Sequence, residues 1–152
     1  FPKGPLREPV AAGLARADAV VLMGDGEAPA AFSGFAGPIL RARLAATSTL
    51  APGRYVAFAG IGRPSRFFDA LGRQAGVELL EGAPYPDHHA FTQYDVSFLM
   101  KLAADHDARL VTTDKDHVRL PADMKDKVAR ATVKAAFEDE EALARLLDGV
   151  VR

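Results

Sequence analysis

Two imidazoles stand side by side in the segment Tyr85-Pro86-Asp87-His88-His89-Ala90-Phe91-Thr92, with a carboxylate directly before them. A histidine oriented by a carboxylate moves protons near neutral pH, so this segment could serve as an acid/base relay on a hydroxyl group. It could also supply metal ligands. Adjacent residues seldom aim at one point, however, and no further His/Asp/Glu cluster with ligand spacing occurs in the chain, which disfavours a self-contained metal site. A plain structural reading stands beside both: Asp87 and the histidines bonding loop backbone at a helix entry.

Three other segments carry groups of the same kind. In Thr112-Thr113-Asp114-Lys115-Asp116 the hydroxyls and charges could meet a phosphate or magnesium ion at a helix N-terminus. Capping of that helix by Thr113 or Asp114 is the simpler reading. Gly4-Pro5-Leu6-Arg7-Glu8-Pro9 sets a guanidinium suited to phosphate beside a carboxylate suited to magnesium, or else holds a solvated charge pair of little weight. Gly60-Ile61-Gly62-Arg63 invites a dinucleotide reading, but Ser65 occupies the place of the third glycine. A tight turn with Arg63 free to reach an anion fits better. The chain contains no Gly-Lys pair, so the backbone cradle and lysine of a P-loop are not in these residues.

The elements that must position these groups follow from the apolar pattern. Three prolines in the first nine residues forbid a regular element there. A short helix is expected over 10–16 and a buried strand over 19–23, followed by a Gly/Pro-rich loop from 24 to 37. A partly exposed strand covers 38–45, and Tyr55-Val56-Ala57-Phe58-Ala59 is the clearest buried strand. Pro64 sits where a first-turn helix proline belongs, with Phe67, Phe68, Leu71 and Ala75 at helical spacing. Residues 77–80 read as a short strand leading into a Pro/Gly-rich stretch over 82–86. Thr92 and Asp95 resemble a capping box ahead of a stripe formed by Val96, Leu99, Met100 and Ala103. Strands over 109–112 and 130–137 follow, and a last helix from Asp139 or Glu140 should turn Leu143, Leu146, Leu147 and Val150 inward.

Strands alternating with helices predict an α/β fold of three layers, a largely parallel sheet flanked by helices. Ligands of such folds sit beyond the carboxyl ends of the strands, which selects the loops 60–63, 84–92 and 112–116. A composition of 49% hydrophobic and 26% charged residues fits one ordinary α/β domain over 1–152. The net charge of -1 gives no field to gather nucleic acid, so no nucleic-acid partner is expected. Absence of Cys excludes thiol nucleophiles and Cys-ligated zinc or iron-sulfur clusters, and cytoplasm is the simplest compartment. No apolar run approaches a membrane span. The opening at Phe1, without Met, reads like a loop in mid-protein.

Taken in order, five segments carry a resemblance. They are Gly4-Pro5-Leu6-Arg7-Glu8-Pro9, Ala17-Asp18-Ala19-Val20-Val21, Phe58-Ala59-Gly60-Ile61-Gly62-Arg63-Pro64 with Phe67-Phe68, Pro86-Asp87-His88-His89 with Phe91-Thr92, and Val111-Thr112-Thr113-Asp114-Lys115-Asp116. Together the chain resembles the C-terminal half of the tetraacyldisaccharide 4'-kinase family, across nearly its whole length. The resemblance implies the C-terminal lobe of a P-loop-type kinase that moves the γ-phosphoryl of ATP, with Mg2+, to the 4'-hydroxyl of tetraacyldisaccharide 1-phosphate in lipid A biosynthesis. The P-loop and the catalytic Asp would lie in an N-terminal half outside this sequence, which would hold most of the ATP and magnesium contacts. Residues 1–9 would form an interdomain loop, with Arg7 a phosphate contact and Glu8 at the magnesium-nucleotide site. His88 would pair with the catalytic carboxylate of the other half, supported by Asp87. Where the family's Thr-Thr-x-Lys-Asp motif carries Glu, this chain has Asp114. The implied partners are the protein's own N-terminal domain, the lipid A disaccharide precursor and the inner membrane surface, at its cytoplasmic face. The chain by itself is expected to be soluble and inactive. A stand-alone, non-catalytic α/β module binding a nucleotide or protein is the alternative, and a small metal-dependent phosphoesterase built on Asp87, His88, His89 and Asp116 is a third reading.

Overall fold

Alternation along one strand sets the centre of the structure. In β3 (Gly53–Ala59), Tyr55, Ala57 and Ala59 point to one face and Val56 and Phe58 to the other, as the two-residue period of a strand requires. All five are buried, so both faces must be covered. The computed structural model, which describes residues 8–150, covers both faces with helices.

Around β3 lie β4 (Val77–Pro84), β5 (Arg109–Thr113) and β6 (Val128–Ala131), in the order β4-β3-β5-β6 and all parallel. One face packs on α3 (Gln93–Asp105) through Val96, Leu99 and Ala103, with Leu120 and with Met124 from α5 (Ala122–Lys125). The opposite face packs on Phe67 and Leu71 of α2 (Pro64–Gly72). The α/β sandwich of parallel sheet between helices is thus the expected one. α4 (Asp114–Arg119) follows β5 directly, with Thr113 as its N-cap.

Contacts group the chain into two compact units, Leu44–Lys134 and a second assembled from Phe1–Arg43 and Ala135–Arg152, where the sequence led to one domain. The first holds the four-stranded sheet. The second contains α1 (Val10–Leu14), β1 (Val20–Met23) and α6 (Glu140–Val150), and the unit boundaries fall inside β2 (Ile39–Ala46) and β7 (Val133–Phe137). β1, β2 and β7 form a three-stranded sheet in which β1 and β2 run parallel.

Several local expectations differ. The single strand over 130–137 is two strands in two sheets, parted at Thr132, whose N–H donates to Ser48 Oγ and whose carbonyl accepts from Thr47 N–H. β4 does not stop at residue 80 but runs on to Pro84, past a register shift opposite Tyr55/Val56. Gly82 is what lets it pass: a Cβ there would lie 2.6 Å from the Phe68 ring. Met100 and Leu147, expected to face inward, are exposed, and Leu143 and Leu146 are half-buried. The loop over 24–37 contains one 3-10 turn, Ala30–Phe32.

Candidate active site

The crevice is set by where the connections between parallel strands part to opposite faces of the sheet. The connection leaving β3 runs to α2 on one face of the sheet, whereas the connection leaving β5 runs to α4 and α5 toward the other. Adjacent parallel strands whose loops part in this way leave an opening beyond their carboxyl ends. Three of the loops singled out by the sequence meet there: 60–63 after β3, 84–92 after β4 and 112–116 after β5.

Asp116 ties them together. Its side chain is fully buried, and Oδ2 accepts from Gly60 N–H at 3.0 Å and from the Thr113 hydroxyl at 2.8 Å. Its own N–H donates to Thr113 Oγ1, the helix cap expected of Thr113. Oδ1 receives Arg119 Nη1 at 3.4 Å. The Gly60 N–H is therefore spent on a carboxylate and is not available to a phosphate, which disposes of the dinucleotide reading. Thr112 Oγ1 donates to the Phe58 carbonyl inside the sheet. Asp114 accepts from Thr132 Oγ1 at 2.6 Å. Most of the Thr-Thr-Asp-Lys-Asp segment is thus structural.

The two imidazoles face opposite ways. His88, at φ 62, has its N–H bound to the Gly60 carbonyl, and its ring is 65% exposed. Arg119 Nη2 lies 2.9 Å from Nδ1, and Asp87 Oδ2 lies 3.8 Å from Nε2. Asp87 Oδ1 is also 3.8 Å from Lys115 Nζ. His89 turns inward. It packs between Tyr85 and Phe91, tilted on the first and edge-to-face with the second, at 4.8 and 5.1 Å between ring centres, and Nε2 meets Asp95 Oδ2 at 3.0 Å. That same carboxylate accepts from Thr92 N–H and Oγ1, while Thr92 Oγ1 accepts from Asp95 N–H, completing the capping box of α3. Burial disfavours the charge on Asp95, but the bonds from the Thr92 backbone, the His89 ring and the Thr92 hydroxyl outweigh it and hold this carboxyl below its ordinary range. Tyr85 is pushed the other way, first by burial and then by the charge of Asp95.

The exposed side chains of Asp87 and His88 stand out as a crest at the crevice, and nearby lies a cavity of about 240 Å³, lined by Ile61, Thr113, Asp114, Lys115, Ala131 and Val133. A larger one of about 490 Å³, in the other unit, is lined by apolar side chains such as Leu14 and Phe35.

Of the residues named from sequence, Asp87 and His88 come together at the crest. Arg7 lies outside the described residues. Glu8 has both oxygens on Arg16, Nη1 to Oε2 at 2.6 Å and Nη2 to Oε1 at 2.5 Å, and the bond to Arg16 keeps its carboxyl below the ordinary range. Among the described residues no group of three or more His, Asp or Glu side chains is arranged to hold a metal ion. Sequence reasoning missed Arg119. The signal was present in Asp116-His117-Val118-Arg119, a carboxylate and guanidinium three residues apart on a helix.

The described residues define a parallel α/β domain with a crevice beyond β3 and β5, where the exposed His88 ring meets Arg119 and, through it, the buried Asp116. The family model described as tetraacyldisaccharide-1-P 4'-kinase matches residues 1–152, and the chain belongs to that family. A tetraacyldisaccharide 4'-kinase of Hyphomonas neptunium is 55% identical over 147 residues, covering 97% of this chain and 44% of that protein. One of Maricaulis maris is 49% identical, covering 99% and 46%. The chain thus spans about half the length of the curated relatives it matches. The crystal structure of the Aquifex aeolicus kinase LpxK, solved with ATP, shares the fold at a TM-score of 0.53 and 24% identity, over 95% of this chain and 46% of that one.

Proposed function

We propose that this chain is the C-terminal half of an ATP-dependent kinase that phosphorylates the 4'-hydroxyl of tetraacyldisaccharide 1-phosphate in lipid A biosynthesis. The P-loop and most contacts to ATP and magnesium belong to the N-terminal half, and the tetraacylated substrate brings the whole protein to the cytoplasmic face of the inner membrane. In this reading Arg7 contacts phosphate and Glu8 serves the magnesium-nucleotide site, where a metal ion would have to share the Glu8 carboxylate with Arg16. The observation that carries the reading is the outward, anchored ring of His88 at the switch-point crevice, with Asp87 beside it. Phosphoryl transfer asks the protein mainly for positioning and charge, together with a group that orients the acceptor hydroxyl or its base. His88 supplies the orienting group, toward a carboxylate of the N-terminal half.

In the full-length protein, His88→Ala should lower kcat on the order of a hundredfold or more, with a modest change in the KM for ATP. Unaltered turnover removes the assignment. This chain alone should transfer no phosphoryl group, and transfer at the full-length rate would favour a complete enzyme within these residues.

A further inference from the structure

Three side chains at the crest form a directional series, of which the kinase reading uses only His88. Asp116 is fully buried, the Arg119 side chain is 25% exposed, and the His88 ring is 65% exposed. Arg119 is bound at both prongs, Nη1 to Asp116 Oδ1 and Nη2 to His88 Nδ1. A planar guanidinium suits such a task because its N–H groups leave in fixed directions from a rigid fork. Gly60 and Thr113 hold Asp116 in turn, so the fork is anchored to the ends of β3 and β5.

Resting on the functional reading above, we infer that Arg119 is a positioning residue that selects the Nε2–H tautomer of His88. A guanidinium can only donate, so the nitrogen facing it must present a lone pair. Nδ1 is therefore the bare nitrogen and the ring hydrogen sits on Nε2. Turning the ring over would set Cδ2–H against Nη2 and lose the bond. The nitrogen left facing outward is thus a donor. His88 holds a carboxylate or a phosphoryl or hydroxyl oxygen by giving it a hydrogen bond, and the acceptor of the sugar proton is a different group. Asp87 Oδ2, 3.8 Å from Nε2, is beyond hydrogen-bond distance and leaves that hydrogen to another acceptor.

The test has two arms on the full-length protein. With 15N-labelled histidine, and His88→Gln to assign the signal, the wild-type ring should show a bare Nδ1 and a protonated Nε2. Arg119→Gln should raise the Nδ1–H population. It should also lower kcat on the order of tenfold to a hundredfold, as small misplacements do, with substrate KM values nearly unchanged. Because Arg119 acts through the ring, Arg119→Gln should cost little further activity when His88 is already Gln. Arg119→Lys keeps a cation beside Asp116 but lacks the fork, and should fold like wild type while remaining slow. A wild-type Nδ1–H ring, an unchanged tautomer in Arg119→Gln, or full losses from both sites in the double variant would overturn the inference. If His88→Gln proves fully active while the tautomer still depends on Arg119, the kinase role of His88 fails and the hold of the arginine on the ring stands.

Discussion

At Asp95 two opposing effects meet on one carboxyl. Burial penalises its charge, and three hydrogen bonds from Thr92 and His89 favour it more strongly. The folded group therefore gives up its proton below the ordinary value of 3.8. Its stabilisation is complete above that value and is lost as pH falls through the lower folded one. Urea melts across the acid range should show stability falling with pH, and Asp95→Asn should flatten that limb; an unchanged slope would mean the clamp does not form. The capping half of this clamp was legible, because Thr92 and Asp95 are three residues apart. The His89 half was not. Two adjacent histidines look alike in sequence, and only the aromatic slot between Tyr85 and Phe91 assigns one of them to packing.

At the level of elements, the close approach of three loops rests on Gly60. A Cβ there would lie 3.1 Å from the Pro86 carbonyl and 3.2 Å from His89 Cβ, both parts of the loop that carries His88. Gly60→Ala should push that loop outward, costing about 1–3 kcal/mol, as overpacking does. The cost is readable as a lowered urea midpoint, with loss of the 2.9 Å bond between Arg119 and His88 visible in a crystal structure. An unshifted midpoint and an unmoved loop would show that the contact gives way easily. Strands and helices with strong local patterns, such as 55–59 and the helix opening at Pro64, were legible from the sequence. The break at Thr132 was not, because its cause is a pair of bonds to residues 47 and 48, far away in the chain. The extension of β4 was hidden for a related reason: Gly82 reads as a turn residue until the Phe68 ring above it is known.

Over the whole molecule, burial is unevenly shared. Among the described residues the buried apolar side chains fall in Leu44–Lys134, apart from Leu40 and Ala42. Resistance to opening follows buried apolar contacts. Native-state hydrogen exchange should therefore find its slowest amides in β3 and β5, and much faster ones in β1. Equal protection across both units would contradict this. One detail at the crest carries a further consequence. A left-handed backbone at position 88 suits glycine or asparagine better than a bulkier side chain, and the mismatch is worth about 1–2 kcal/mol. A laboratory selection for heat resistance alone would thus discard this imidazole early, and the hardier descendants it produced would be those that had given up the chemistry.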